Sequence, residues 1–137
     1  MAYRVKYGWG SCDDKNLFEL GGMEGLRGFD RKTVRGANAL LGSAEYRFPL
    51  IDGLRVSLYD HILNLEKISG AVFFDAGQAW RDNFDDGKFR KDAGVGFRFH
   101  LSLGSFLENV IVRVDISHAI DDPKEDTRTW FGINQAF

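Results

Sequence analysis

One cysteine, two prolines and three histidines stand among 137 residues, and each scarcity excludes something. Cys12 has no partner for an internal disulfide or a metal cluster, so it reads as an incidental thiol. His61, His100 and His118 share neither a helix face nor metal-ligand spacing, and none has an evident nucleophile beside it. No enzymatic activity, resident metal or cofactor is therefore expected. Gly22, Gly25 and Gly28 lack the strand–helix context of a dinucleotide fingerprint. Asp121, Asp122 and Asp126 do not have calcium-loop spacing and read as a solvated charged loop. With a net charge of −2 and no basic stripe, nucleic acid is not an expected partner. No run approaches the ~18 apolar residues of a membrane helix. Met1-Ala2-Tyr3-Arg4 has no apolar signal-peptide core. These absences suit a cytoplasmic soluble protein, but equally a piece whose export signal lies upstream, or a mature chain with an added Met.

What the chain does have is aromatic residues, 14%, and 16 glycines, a balance suited to strands separated by turns. Period-two alternation recurs. Tyr3, Val5, Tyr7 and Trp9 alternate with Arg4, Lys6, Gly8 and Gly10. Ala44, Tyr46 and Phe48 alternate with Ser43, Glu45 and Arg47. Val72, Phe74 and Ala76 alternate with Phe73, Asp75 and Gly77. Ala93, Val95, Phe97, Phe99 and Leu101 alternate with Gly94, Gly96, Arg98, His100 and Ser102. Val110, Val112, Val114 and Ile116 alternate with Ile111, Arg113, Asp115 and Ser117, while Thr129, Phe131, Ile133 and Phe137 share a final face. About six strands follow, each near the ~9–11 residues that a tilted strand needs to cross a bilayer. Long and short connections alternate, as in outer-membrane barrels. Ile51 to Ser69 breaks the rhythm, and Leu58–Glu66 reads as a short amphipathic helix or an irregular excursion.

Alternation does not say which face is inside, because a soluble barrel buries its apolar face and a membrane barrel turns it to lipid. Three features favour the membrane. Gly94 and Gly96 beside Arg98 suit a crowded polar lumen. Charges of both signs, Glu45, Asp75, Arg98, Arg113 and Asp115, fall mid-strand. Trp80, Trp130 and Phe137 fall near strand ends, where interfacial aromatic girdles belong.

Five motifs then occur in order. Phe18-Glu19-Leu20-Gly21-Gly22-Met23-Glu24-Gly25-Leu26-Arg27-Gly28-Phe29 carries an Arg-Gly-aromatic core. Gly42-Ser43-Ala44-Glu45-Tyr46-Arg47-Phe48-Pro49-Leu50 follows, then Phe73-Phe74-Asp75-Ala76-Gly77, Gly94-Val95-Gly96-Phe97-Arg98-Phe99 and Arg113-Val114-Asp115. Over roughly Phe18 to Phe137 the chain resembles the C-terminal barrel region of the BamA/TamA and two-partner-secretion transporter superfamily, the bacterial surface antigens. The resemblance implies an all-β, antiparallel transmembrane β-barrel, of which this chain forms the C-terminal part of sixteen strands. Residues 11–35 become a lumen-directed loop and 36–137 the last five strands.

The resemblance also assigns residues. Leu26, Arg27, Gly28 and Phe29 form the lumen-loop motif, with Arg27 paired to Glu45, Asp75 or both, Gly25 and Gly28 turning the backbone tightly, and Phe29 packing on the lumen wall. Without that pattern, a Gly-flanked Arg reads as a solvent-exposed loop residue. Gly132 and Phe137 fit the family's C-terminal sorting signal, although Phe131 takes its polar place and Gln135 an apolar one. By strand parity His100 faces the lumen and His118 does not. The implied function is translocation of polypeptides through, or insertion beside, an outer-membrane barrel. The implied partners are membrane lipid, secreted or outer-membrane polypeptide cargo, and missing N-terminal strands and periplasmic modules. Two other readings remain: a soluble β-barrel binding a small apolar ligand, and a membrane anchor for an upstream passenger such as a hydrolase.

Overall fold

The structure, a computed structural model, describes residues 1–9, 18–54, 56–58, 63–81, 89–103, 107–121 and 126–135. Among them lie nine strands and no helix: β1 (Ala2–Trp9), β2 (Phe18–Leu20), β3 (Val34–Gly36), β4 (Asn38–Ile51), β5 (Val56–Leu58), β6 (Leu63–Trp80), β7 (Arg90–Leu103), β8 (Leu107–Ala119) and β9 (Arg128–Gln135). The six long strands form an antiparallel meander in the order β1-β4-β6-β7-β8-β9. The fold is all-β and antiparallel, and the sheet does not close on itself. Among the described residues, neither the outer edge of β1 nor that of β9 has a partner strand.

Register explains how the rhythm becomes two faces. Val72, Val95 and Ile116 are neighbours across β6, β7 and β8, as are Asp75 and Asp92, and Gly96 and Asp115. A period-two pattern in register places every apolar row on one side. That side faces outward: Tyr3, Val5, Tyr7, Trp9, Tyr46, Phe74, Phe97, Phe131 and Ile133 are exposed. The side within the curve is polar and buried, with Asp75, Asp92 and Asp115 at 0% exposure, Arg27 at 3% and Arg98 at 4%. This polarity is the inverse of a soluble barrel, in which the apolar face fills the centre.

Two expectations need correction. Leu58–Glu66 is neither a short helix nor an irregular excursion in its described parts, which lie in β5 and β6. Val56–Leu58 pairs antiparallel with Leu63–Leu65, so β5 continues the lane that β4 leaves. A bulge between Pro49 and Ile51 shifts the register at the end of β4. Pro49 lies beyond the reach of β1, which pairs β4 only as far as Glu45, so its missing N–H costs that flank no ladder bond. Trp130 is also no girdle residue. It stands opposite Asp115, on the buried side of the sheet, while its neighbours Phe131 and Ile133 face out. Its indole N–H has a buried partner there, which an outward ring would lack.

The apolar core lies inside the curve, at the end bearing the long connections. Leu20, Leu26 and Phe29 from the β1–β4 connection pack on Ala39 and Leu41 of β4 and Ala119 of β8. The β2–β3 pair, with Phe18 opposite Gly36 and Leu20 opposite Val34, frames this plug.

Candidate functional site: an arginine loop in the barrel lumen

The connection between β1 and β4 turns back into the curve and ties itself together. The Gly22 N–H donates to the carbonyls of Leu26 (3.1 Å) and Phe29 (3.0 Å), and the Phe29 N–H to Leu26 (3.2 Å). Gly22 holds φ at 83°, a left-handed conformation glycine adopts without a Cβ penalty. Gly28 serves differently from the tight turn expected of it. A Cβ there would lie 2.5 Å from the Asp92 Cβ and 3.0 Å from the Ala119 backbone nitrogen, so glycine is needed for close approach to the wall.

The loop delivers Arg27 to three acids on three strands. Nε donates to Asp75 Oδ2 at 2.7 Å and Nη2 to Asp75 Oδ1 at 3.1 Å, a bidentate fork. Nη1 donates to Glu45 Oε2 at 2.9 Å and reaches Asp115 Oδ2 at 3.4 Å. The guanidinium carbon sits 3.3 Å from the centroid of the Phe73 ring, which adds a cation–π contact. Burial disfavours the charge of Arg27, but hydrogen bonding and attraction from Asp75, then from Glu45 and Asp115, outweigh it. The net effect raises the pKa above the ordinary arginine value.

The acids are held in turn. Ser43 donates to Asp75. Glu45 Oε1 accepts from Arg47 Nε at 2.7 Å and from Arg98 Nη2 at 3.3 Å. Arg98 also donates to Asp115. Arg98 therefore bridges the two acids at the edge of the cluster, and the network runs through β4, β6, β7 and β8 without a break. A buried charged network is sound only when its members are satisfied, and these five residues bind one another.

The loop backbone is fixed separately. The Arg27 carbonyl accepts from Ser117 Oγ of β8 and from Trp130 Nε1 of β9 at 2.6 Å. Glu24 crosses the curve, with one oxygen 3.0 Å from Arg113 Nη2 of β8 and the other 3.4 Å from Arg4 Nη1 of β1. Asp30 lies 2.9 Å from Arg128 Nη1 of β9.

The structure thus brings Arg27, Glu45 and Asp75 into one cluster, and Arg27 touches both acids rather than choosing one. Leu26 and Phe29 are buried in the plug beside it, with Arg90 5.6 Å over the Phe29 ring. Gly132 stands apart on β9, where the Met23 methyl occupies the place a Cβ would take. Phe137 lies outside the described residues, as do Cys12, His61 and Asp122. His100 is opposite Lys67 on the inner side and His118 is exposed. Asp115, Arg98, Ser117 and Trp130 were not singled out as loop partners from sequence. The parity of the first three was readable, but their cross-strand register was not. Among the described residues no group of His, Cys, Asp and Glu could hold a metal. No helix of the described residues is long and apolar enough to cross a membrane, which says nothing of a strand-built barrel.

The comparisons with known proteins agree with this architecture. Searches of well-characterised proteins and of solved structures returned no significant match. A family model for the Omp85 superfamily domain matches residues 1–137, the whole chain. The superfamily's general work is insertion or translocation of polypeptides at the outer membrane, and the resemblance seen in the motifs is to the same group. An open antiparallel sheet with an inverted polarity and an arginine loop docked in its lumen is therefore a barrel portion, and the chain belongs to the Omp85 superfamily.

Proposed function

We propose that this chain is the closing portion of a sixteen-stranded outer-membrane barrel that inserts or translocates polypeptides without covalent chemistry. The Arg27 loop would serve as its lumenal structural switch. The observation that carries the reading is the inverted sheet: charged groups buried inside the curve, aromatic and β-branched rows exposed outside. Such an outer face matches hydrocarbon, and the charged inner face matches a polar passage. Among the described residues the outer edges of β1 and β9 have no partner strand, which supports the proposal that further strands complete the ring, because an open edge in lipid costs several kcal/mol per unpaired group. A charged interior speaks against the soluble ligand-binding barrel, and nothing in the site favours the passenger-anchor reading over transport.

The test is cargo handling by the protein in its native outer membrane. Arg27→Ala should reduce cargo export or barrel insertion while the heat-modifiable mobility of the folded barrel is retained. Wild-type activity in that variant would overturn the switch role. Gly132 and Phe137 are proposed as the sorting end. Deleting Phe137 should lower the amount of folded barrel in the membrane, and unchanged abundance and mobility would remove that assignment.

A further inference from the structure

We infer that Trp130 is a positioning residue that makes docking of the arginine loop conditional on the placement of β9, and placement of β9 conditional on the loop. The inference rests on contacts alone and holds whatever cargo the barrel handles.

β9, like β1, is a long strand paired on one side only among the described residues. It pairs only with β8, through Arg128–Gln135, and has no second partner among the described residues. The loop supplies what a second strand does not. The Trp130 indole N–H is directed inward to the Arg27 carbonyl, in the same residue whose side chain holds Asp75 and Glu45. Asp30 pairs with Arg128, one residue along the inner row, and Met23 is seated on Gly132, the next inner position on the other side. Arg31 lies 5.8 Å over the Trp130 ring. Every inward position from 128 to 132 thus meets the loop.

The consequence is a two-sided linkage. Displacing β9 from β8 removes the indole donor from the Arg27 backbone and withdraws the Asp30 and Met23 contacts. Releasing Arg27 from its acids withdraws the loop contacts that supplement the β8 ladder of β9. If loop docking favours a seated β9, a seated β9 must favour loop docking by the same factor. Trp suits the position because its ring lies under Arg31 while its N–H reaches a backbone acceptor, a combination Phe cannot supply.

The experiment uses the intact protein in isolated outer membranes, without added cargo. Trp130→Phe keeps the ring and removes the donor. Protease cleavage within residues 10–35 should rise roughly fivefold over wild type, the scale of one lost hydrogen bond, with heat-modifiable mobility unchanged. The reciprocal measurement is hydrogen–deuterium exchange of the β9 amides 128–133 in Arg27→Ala, which should quicken by a similar factor. Wild-type loop protection in a folded Trp130→Phe barrel overturns the inference. If Trp130→Phe does not fold, the Arg27→Ala measurement decides alone, and unchanged β9 exchange there overturns the inference as well. Because neither readout involves transport, loss of cargo handling with both readouts unmoved would sink this linkage and leave the proposed function standing.

Discussion

Asp75 and Asp92 stand directly opposite each other on β6 and β7, both with no exposed surface, yet only Asp75 receives the Arg27 fork. Like charges at opposite cross-strand positions repel. The pair is therefore asymmetric by construction: one acid holds the loop, and the other sits under Gly28 with no such fork.

That asymmetry gives the first prediction. Asp75→Asn withdraws the acid from a buried ion pair, a change of roughly 3–5 kcal/mol. It should release the loop, seen as faster proteolysis between residues 10 and 37 in native membranes. Asp92→Asn preserves shape and removes a like charge, so it should leave the loop at least as protected as in wild type. Equal release in both variants would show that the two acids share the work.

A second prediction concerns the shape of the cation. Arg27 addresses Asp75, Glu45 and Asp115 at once through a planar fork. Lysine is a point charge and cannot reproduce that geometry. Arg27→Lys should therefore resemble Arg27→Ala in loop protection and cargo handling. Within the Arg27→Ala and Asp75→Asn cycle, the double variant should be little worse than the worse single one, since both remove one contact. Additive losses, or rescue by lysine, would show that the pairing is not what docks the loop.

The third prediction tests the outer face. Phe97 lies near the middle of β7, is 42% exposed, and neighbours Val114 across the sheet. Phe97→Arg at mid-depth should cost about 2–4 kcal/mol in a bilayer, read as a reduced yield of heat-modifiable barrel. In water the same change would be nearly silent, so full yield would count against the face being lipid-bound.

Much of this architecture is legible in the sequence, and the reason is local. Val95, Phe97 and Arg98 declare two faces within four residues, because a strand alternates its side chains whatever its neighbours do. What a strand does not declare is its register with a partner. Arg27 and Asp115 meet across 88 positions of sequence, so Asp115 could be placed on the polar face but not beside the loop. Trp130 was misplaced for a related reason: an aromatic near a strand end fits a girdle until a buried carbonyl claims its N–H. Leu58–Glu66 admits a short helix or an irregular excursion from sequence; its described part Leu63–Glu66 is strand, and the bulge between Leu65 and Lys67 breaks the two-residue rhythm there.

The last prediction separates the loop's charge from its fit. Gly28 follows Arg27 directly and rests against Asp92 of β7 and His118 and Ala119 of β8. A Cβ at that position would stand 2.5 Å from the Asp92 Cβ and 3.0 Å from the Ala119 nitrogen, and neither belongs to the mobile end of a long side chain. Its φ is not left-handed, so a side chain meets no backbone strain there, only the wall. Gly28→Val keeps every charged group and still prevents the loop from seating, because Arg27 and the Arg27 carbonyl must then withdraw together from Asp75, Ser117 and Trp130. We expect loop proteolysis to approach that of Arg27→Ala, with Gly28→Ala between the two. Gly25→Ala is the milder control, since its nearest neighbour, the Gly21 nitrogen at 3.0 Å, belongs to the loop itself and can move with it. Full protection in Gly28→Val would mean that the loop sits farther from the β7–β8 wall in the membrane, and that charge alone positions Arg27.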